Sequence, residues 1–150
     1  MINNKNKTYI NNINKSKIKN KWYIIDASNQ NLGRLSSKVA YILRGKESGD
    51  YTPHINNQIN IIIINSKLIE ITGKKREQKE YKRHSGKPGS LKIETFNKLQ
   101  ERMPNKILEK SIKGMLPKNI LGRQLFKQLK IYSNHIHPHS SQKPKLLNLN

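Results

Sequence analysis

Residues 22–35, Trp22-Tyr23-Ile24-Ile25-Asp26-Ala27-Ser28-Asn29-Gln30-Asn31-Leu32-Gly33-Arg34-Leu35, decide the fold. The first four residues are aromatic or β-branched, Asp26 follows, and Ala-Ser-Asn closes the run, which is the texture of a strand entering a turn. From Leu32 the period changes. Leu32, Leu35, Val39, Ile42 and Leu43 recur at helical spacing behind a cap candidate at Asn31, and the pattern stops at Gly45. Arg34, Lys38 and Arg44 fall largely off that apolar stripe. Downstream, Ile59 to Ile64 is apolar at five of six positions, as expected of a strand covered on both faces. Strand, helix, strand in that order implies parallel pairing with a right-handed crossover, hence an α/β class.

Farther along, Lys67-Leu68-Ile69-Glu70-Ile71 alternates after Asn65-Ser66 and predicts a further strand nearer the sheet edge. Gly73 to Lys92 holds three Gly, one Pro, six Lys and two Arg against two Glu, and reads as a long exposed basic loop or hairpin. Thr95 to Met103 predicts a helix, with Pro104 suited to the first turn of the next. Ile107, Leu108, Ile112 and Met115 form that helix's apolar stripe until Pro117 interrupts it. Ile120, Leu121, Leu125 and Leu129 carry a third helix, and Ile131-Tyr132 returns as a short strand. Residues 1–21 contain six Lys, no acid and no periodicity, so they read as a basic arm ordered by its partner. Residues 22–150 are expected to form a single domain with an extended C-terminal tail, without internal repeats.

The charge balance names the class of partner. Among 150 residues there are 30 Lys and Arg against 9 Asp and Glu, a net charge of +21. Self-repulsion of this size calls for a polyanion. The absence of cysteine excludes disulfides, thiolate nucleophiles and cysteine-ligated zinc. The run Ile61–Ile64 is far short of the roughly 20 apolar residues that a membrane helix requires. Residues 1–21 lack both the apolar stretch of a secretory signal and the Arg and Ser richness of a transit peptide. Asn, Ile and Lys number 19, 21 and 24, and Lys outnumbers Arg four to one, although Arg is the better bidentate phosphate ligand. Codon bias in an AT-rich genome accounts for that preference and points to an organelle or a reduced bacterium.

Catalysis finds little support. The acids are scattered, Glu77 and Glu80 lie within a basic loop, and Asp26 is placed to cap its own turn. Ser85-Gly86-Lys87-Pro88-Gly89 lacks the spacing of a phosphate-binding loop. His135, His137 and His139 alternate, so on an extended chain they share one side and could suit a metal. No acid supports them, and the tail around them is cationic; no metal or other cofactor is expected. Polyanion contact fits better. The cluster Lys74, Lys75, Arg76, Lys82, Arg83, His84 and Lys87 surrounds Tyr81, and Lys118, Arg123, Lys127 and Lys130 recur near Tyr132 and the histidines. No acid follows Glu109, whereas a solvated surface ordinarily mixes signs. Without a helix-turn-helix, zinc finger or basic zipper, irregular RNA suits such loops better than DNA.

The residues also carry a family pattern. Trp22-Tyr23-Ile24-Ile25-Asp26-Ala27, Leu32-Gly33-Arg34-Leu35, Leu43-Arg44-Gly45-Lys46 and Tyr51-Thr52-Pro53-His54 follow in order. Thr72-Gly73-Lys74-Lys75, Tyr81-Lys82-Arg83-His84-Ser85-Gly86, Lys113-Gly114-Met115-Leu116-Pro117-Lys118, Leu121-Gly122-Arg123 and Leu129-Lys130-Ile131-Tyr132 complete the series. Together they resemble the bacterial-type family of large-subunit ribosomal protein number thirteen, from about Trp22 to Leu147. The resemblance implies a three-layer α/β/α domain with a small, mostly parallel sheet, and a structural, non-catalytic role on large-subunit ribosomal RNA beside neighbouring ribosomal proteins, entering assembly early. It places the Gly73–Lys75 turn, the Tyr81–Gly89 loop, the Gly114–Arg123 stretch and the histidine tail at RNA; Arg34, Arg44, Lys46 and Lys113 complete the expected contacts. Asn56-Asn57-Gln58 stands where the family often has an acidic, Gly-containing turn, and Asn119-Ile120 replaces a common Gly-Pro. An RNA-modifying enzyme and a free regulatory RNA-binding protein are the alternatives; the first would need convergent acids or histidines in a pocket. No membrane or small-molecule substrate is expected. The expected location is a plastid ribosome, with the cytoplasm of an AT-rich bacterium as the alternative.

Overall fold

β1 (Lys21–Asp26) and β2 (Ile59–Ile64) pair in parallel from Lys21 opposite Ile59 to Asp26 opposite Ile64. The computed structural model describes residues 20–49 and 51–148, so nearly all of the expected arm over 1–21 lies outside the described residues. β5 (Leu129–Ile131) joins the far side of β2 and β6 (Lys145–Leu146) the far side of β1, giving the all-parallel order β5-β2-β1-β6. Together with five helices, this is the expected α/β class.

The connection between β1 and β2 contains α1 (Leu32–Leu43), whose apolar stripe is buried as its spacing requires. Asn31 caps it differently from the expectation. Its side chain makes no cap; instead the Leu32 N–H donates to the Glu70 carbonyl at 2.9 Å. Gly45 ends the helix at φ +76°, and a Cβ there would lie 2.1 Å from Nδ2 of Asn57. Asn56 ties this region to the next strand, because its Oδ1 accepts from the Gln58 N–H and from Nε2 of Gln128.

Successive strand residues point to opposite faces. Ile25, Ile61 and Ile63 join α1, Phe96 and Leu99 of α3 (Phe96–Arg102), and Ile107, Leu108 and Ile112 of α4 (Pro104–Met115) in one core. Pro104 opens α4, as predicted. Ile62 is fully buried outside that cluster, on the alternate face that it shares with Trp22. There the chain between β5 and β6 returns, with the Trp22 and His139 rings 5.3 Å apart.

Three predicted elements need correction. Lys67–Ile71 is not a strand: Ser66–Leu68 is a 3-10 turn, and pairing is confined to one bridge between Asn31 and Glu70. Asn65 adopts φ +57°, buried Ser66 donates to Oδ1 of Asn105, and Gln100 donates to the carbonyls of Lys67 and Ile69. Gln100 thereby occupies two carbonyls that a strand would offer a neighbour. Leu129 begins β5 rather than ending the third helix, since α5 (Ile120–Lys127) stops one residue before Gln128. The returning strand accordingly covers Leu129–Ile131, short of Tyr132. The Gly73–Lys92 segment takes the hairpin form, with the short α2 (Lys75–Gln78) followed by β3 (Glu80–Arg83) antiparallel to β4 (Lys92–Thr95).

Candidate nucleic-acid interface

The hairpin projects its charges. Lys74, Lys75, Arg76, Lys82, Arg83, His84 and Lys87 are all exposed. Gly86 and Gly89 adopt φ of +91° and +70°, which turns the tip tightly. His84 braces that tip, its Nδ1 accepting from the Gly86 N–H at 3.0 Å. Lys82 lies 3.3 Å from Glu80, an exposed pair that leaves the ammonium largely hydrated. Tyr81 differs from the others. It is half-buried against the core, with the ammonium groups of Lys110 and Lys79 at 5.0 and 5.6 Å from its ring centre. Burial pushes its hydroxyl pKa upward, so the ring is a neutral platform for two cations.

A second cationic surface forms where α4 meets α5. Lys113, Lys118, Arg123 and Lys127 rim a cleft of about 480 Å³ with Phe126 and Leu116 in its lining. No acid lines it. The cleft exists because the chain turns sharply between the helices. Asn119 caps α5 by accepting the Gly122 N–H at 2.8 Å, which is what the Asn119-Ile120 departure accomplishes. Gly122 lies so close to the preceding turn that a Cβ would sit 1.7 Å from the Pro117 carbonyl oxygen. The Lys113 ammonium is 5.7 Å from the centre of the Phe126 ring.

The remaining predicted residues are spread. Arg34 and Lys46 are exposed on and after α1, whereas Arg44 is half-buried with its guanidinium 5.9 Å from the Tyr51 ring centre. His135 is exposed, but His137 and His139 are drawn into contacts with Tyr132, whose hydroxyl lies 2.9 Å from Nε2 of His139. Within the described residues no group of His, Asp and Glu is arranged to hold a metal, and none of their helices is long and apolar enough to cross a membrane. Asp26 caps its own turn, accepting from the backbone and hydroxyl of Ser28 and from Asn65. Burial raises its pKa, but those three hydrogen bonds outweigh burial and leave the carboxyl below its ordinary value.

A cationic hairpin, a cationic cleft lined by no acid and a parallel sheet now stand together, and similarity to known proteins gives them a setting. Residues 20–138 match the family model described as Ribosomal protein L13. The chain belongs to the ribosomal protein L13 family. Among its L13 relatives is a protein of the red alga Gracilaria tenuistipitata var. liui named large ribosomal subunit protein uL13c, 63% identical over 95% of this chain and 97% of its own length. The cyanobacterial uL13 of Acaryochloris marina is 57% identical over 86% of this chain and 85% of its own. That of Picosynechococcus is 54% identical over 87% and 86%. As an L13 protein the chain is a ribosomal structural constituent and not an enzyme.

Charge counting had no means of finding Phe126 in the cleft or Trp22 against the tail. The usable signal for Phe126 was its spacing, three residues after Arg123 and adjacent to Lys127 on α5.

Proposed function

We propose that this L13 protein is a structural constituent of the large ribosomal subunit. It binds large-subunit ribosomal RNA beside neighbouring proteins and supports early subunit assembly and translation. The observation that carries this reading is the α4–α5 cleft, where four cations spread over residues 113–127 line one concavity with no acid among the lining residues. Such a surface suits phosphate. The exposed hairpin from Lys74 to Lys87 supplies a second contact. Arg34, Lys46 and His135 lie at the surface as further contacts; Arg44, Tyr81, His137 and His139 act mainly by holding their segments in place. The 22–150 segment is the RNA-binding domain and the six lysines of 1–21 a further RNA contact.

The setting we propose is a plastid ribosome. The Asn, Ile and Lys excess and the similarity to a red algal protein named uL13c support it. The test is sucrose-gradient fractionation of plastids at low and high salt. The protein should travel with the large subunit at low salt and be stripped progressively as salt rises; a soluble pool free of particles would overturn the reading. Mass spectrometry of the ribosome-bound protein should find the arm retained, and a mature N-terminus near Lys21 would overturn its role on RNA.

A further inference from the structure

We propose that the α4–α5 cleft is a nucleotide pocket: it receives a single unpaired base of the RNA on the face of Phe126, while the surrounding cations hold the flanking phosphates. The inference rests on the RNA-binding reading above and specifies what that site binds.

The cleft is more than a phosphate perch. Surface lysines can neutralise a backbone without any concavity, yet here they line an open cleft of about 480 Å³, within the roughly 300–1,000 Å³ usual for small-ligand clefts. Its chemistry is divided in the way a nucleotide is divided. Leu116, Pro117 and Phe126 supply buried or half-buried apolar lining, and the exposed Lys113, Lys118, Arg123 and Lys127 supply the charge. Phe126 is half-buried and packs against the core, so its ring is held in orientation. Over the ring lies the Lys113 ammonium, 5.7 Å from the centre, on an exposed and flexible stem. A lysine is readily displaced from such a position, because exposed cation–π contacts are worth little and a phosphate is a better partner. When Lys113 swings to phosphate, a flat aromatic face opens among the lining cations. Base edges find no side-chain carboxylate or amide in this lining, so the pocket takes bases by stacking and tolerates any of the four. Duplex RNA cannot deliver a base face, because its bases are stacked within the helix; a bulge or loop can.

The experiment compares two RNA hairpins at one salt concentration, one with a single bulged adenosine and one without, binding to the full-length protein. Wild type should bind the bulged hairpin about tenfold more tightly, the scale of one base–aromatic stack. Phe126→Leu should abolish that preference, so that the variant binds the bulged and bulge-free hairpins equally. With 4-thiouridine in the bulge, irradiation of the wild-type complex should cross-link the peptide containing residues 116–127, a readout that does not depend on the variant folding. Equal binding of both hairpins by wild type, a preference retained in Phe126→Leu, or a cross-link elsewhere overturns the pocket and leaves the RNA-binding reading standing. Failure to bind either hairpin even at low salt overturns the reading beneath it as well.

Discussion

Replacing Gly122 by Ala tests whether the turn between α4 and α5 is as tight as the structure has it. The new Cβ would lie 1.7 Å from the Pro117 carbonyl oxygen and 2.8 Å from its carbon. The opposing atoms are backbone, so no flexible side chain can yield. The turn must open by more than an ångström before the first contact reaches 3.0 Å. Forcing atoms into a packed site costs about 1–3 kcal/mol. Opening the turn also draws Asn119 away from the Gly122 N–H, which it caps at 2.8 Å, at a further cost of about 1 kcal/mol. The sum, about 2–4 kcal/mol, corresponds to a fall in Tm of roughly 5–15 °C for a domain of this size. Thermal unfolding followed by far-ultraviolet circular dichroism measures it. Gly114→Ala is the matched control: Gly114 sits in α4, and a Cβ added there would meet nothing within 4 Å, so helix propensity should raise stability by about 0.5–1 kcal/mol. A Gly122→Ala protein melting within about 2 °C of wild type would refute the close-approach argument.

Changing Lys74, Lys75, Arg83 and Lys87 together to Ala should leave Tm within a few degrees, because exposed charges contribute little. The same variant should weaken RNA binding and reduce the salt slope by about 0.7–0.9 for each phosphate it no longer neutralises, measured by titration at several ionic strengths. His139→Ala removes a hydrogen-bond partner of Tyr132 and a ring 5.3 Å from Trp22; faster limited proteolysis between β5 and β6 and a shift in the fluorescence of the sole tryptophan should follow, and unchanged cleavage would argue that other contacts hold the tail. Asp26 has its carboxyl pKa lowered on folding, burial opposing and the Ser28 and Asn65 hydrogen bonds prevailing. Its stabilising contribution is therefore present above the ordinary carboxylate value and fades as pH falls through the lowered one. Denaturation midpoints across the acid range should decline less steeply in Asp26→Ala than in wild type.

The strand–helix–strand start was legible because each element buries one kind of period. Val39 and Ile42 are at the core where helical spacing puts them, and the Ile59–Ile64 run is apolar because both its faces are covered. Lys67–Ile71 misled for a physical reason. Ile69 is buried and its neighbours Leu68 and Glu70 are exposed, so the segment alternates, yet its backbone is engaged by Gln100 rather than by a strand. Alternation reports side-chain burial, and ladder pairing is a separate matter. β6 was unreadable: two residues beside Pro144 carry no periodicity, and only β1 makes them a strand. In the candidate site, the charges could be counted along the chain. Their convergence at the cleft could not, since it depends on the sharp turn at Pro117–Gly122 that brings Lys113 towards Phe126.

The pairing of β6 with β1 has a consequence for how the molecule comes into being. Tyr23 and Ile24 find their outer neighbours at Lys145 and Leu146, a closure that spans about 120 residues and so carries a large loop entropy. A ribosome synthesises roughly 5–20 residues each second, so β1 emerges many seconds before the segment that covers its flank. Throughout that interval the first strand presents an unpaired edge, and Trp22 lacks its His139 neighbour. Folding can begin with β1, α1 and β2 while the chain is still being made, but the sheet acquires its last strand only when translation has passed Leu146. Non-local closure of this kind is slow. Until that segment is made, the outer edge of β1 is open to pairing with other chains, the hazard that any uncovered sheet edge carries.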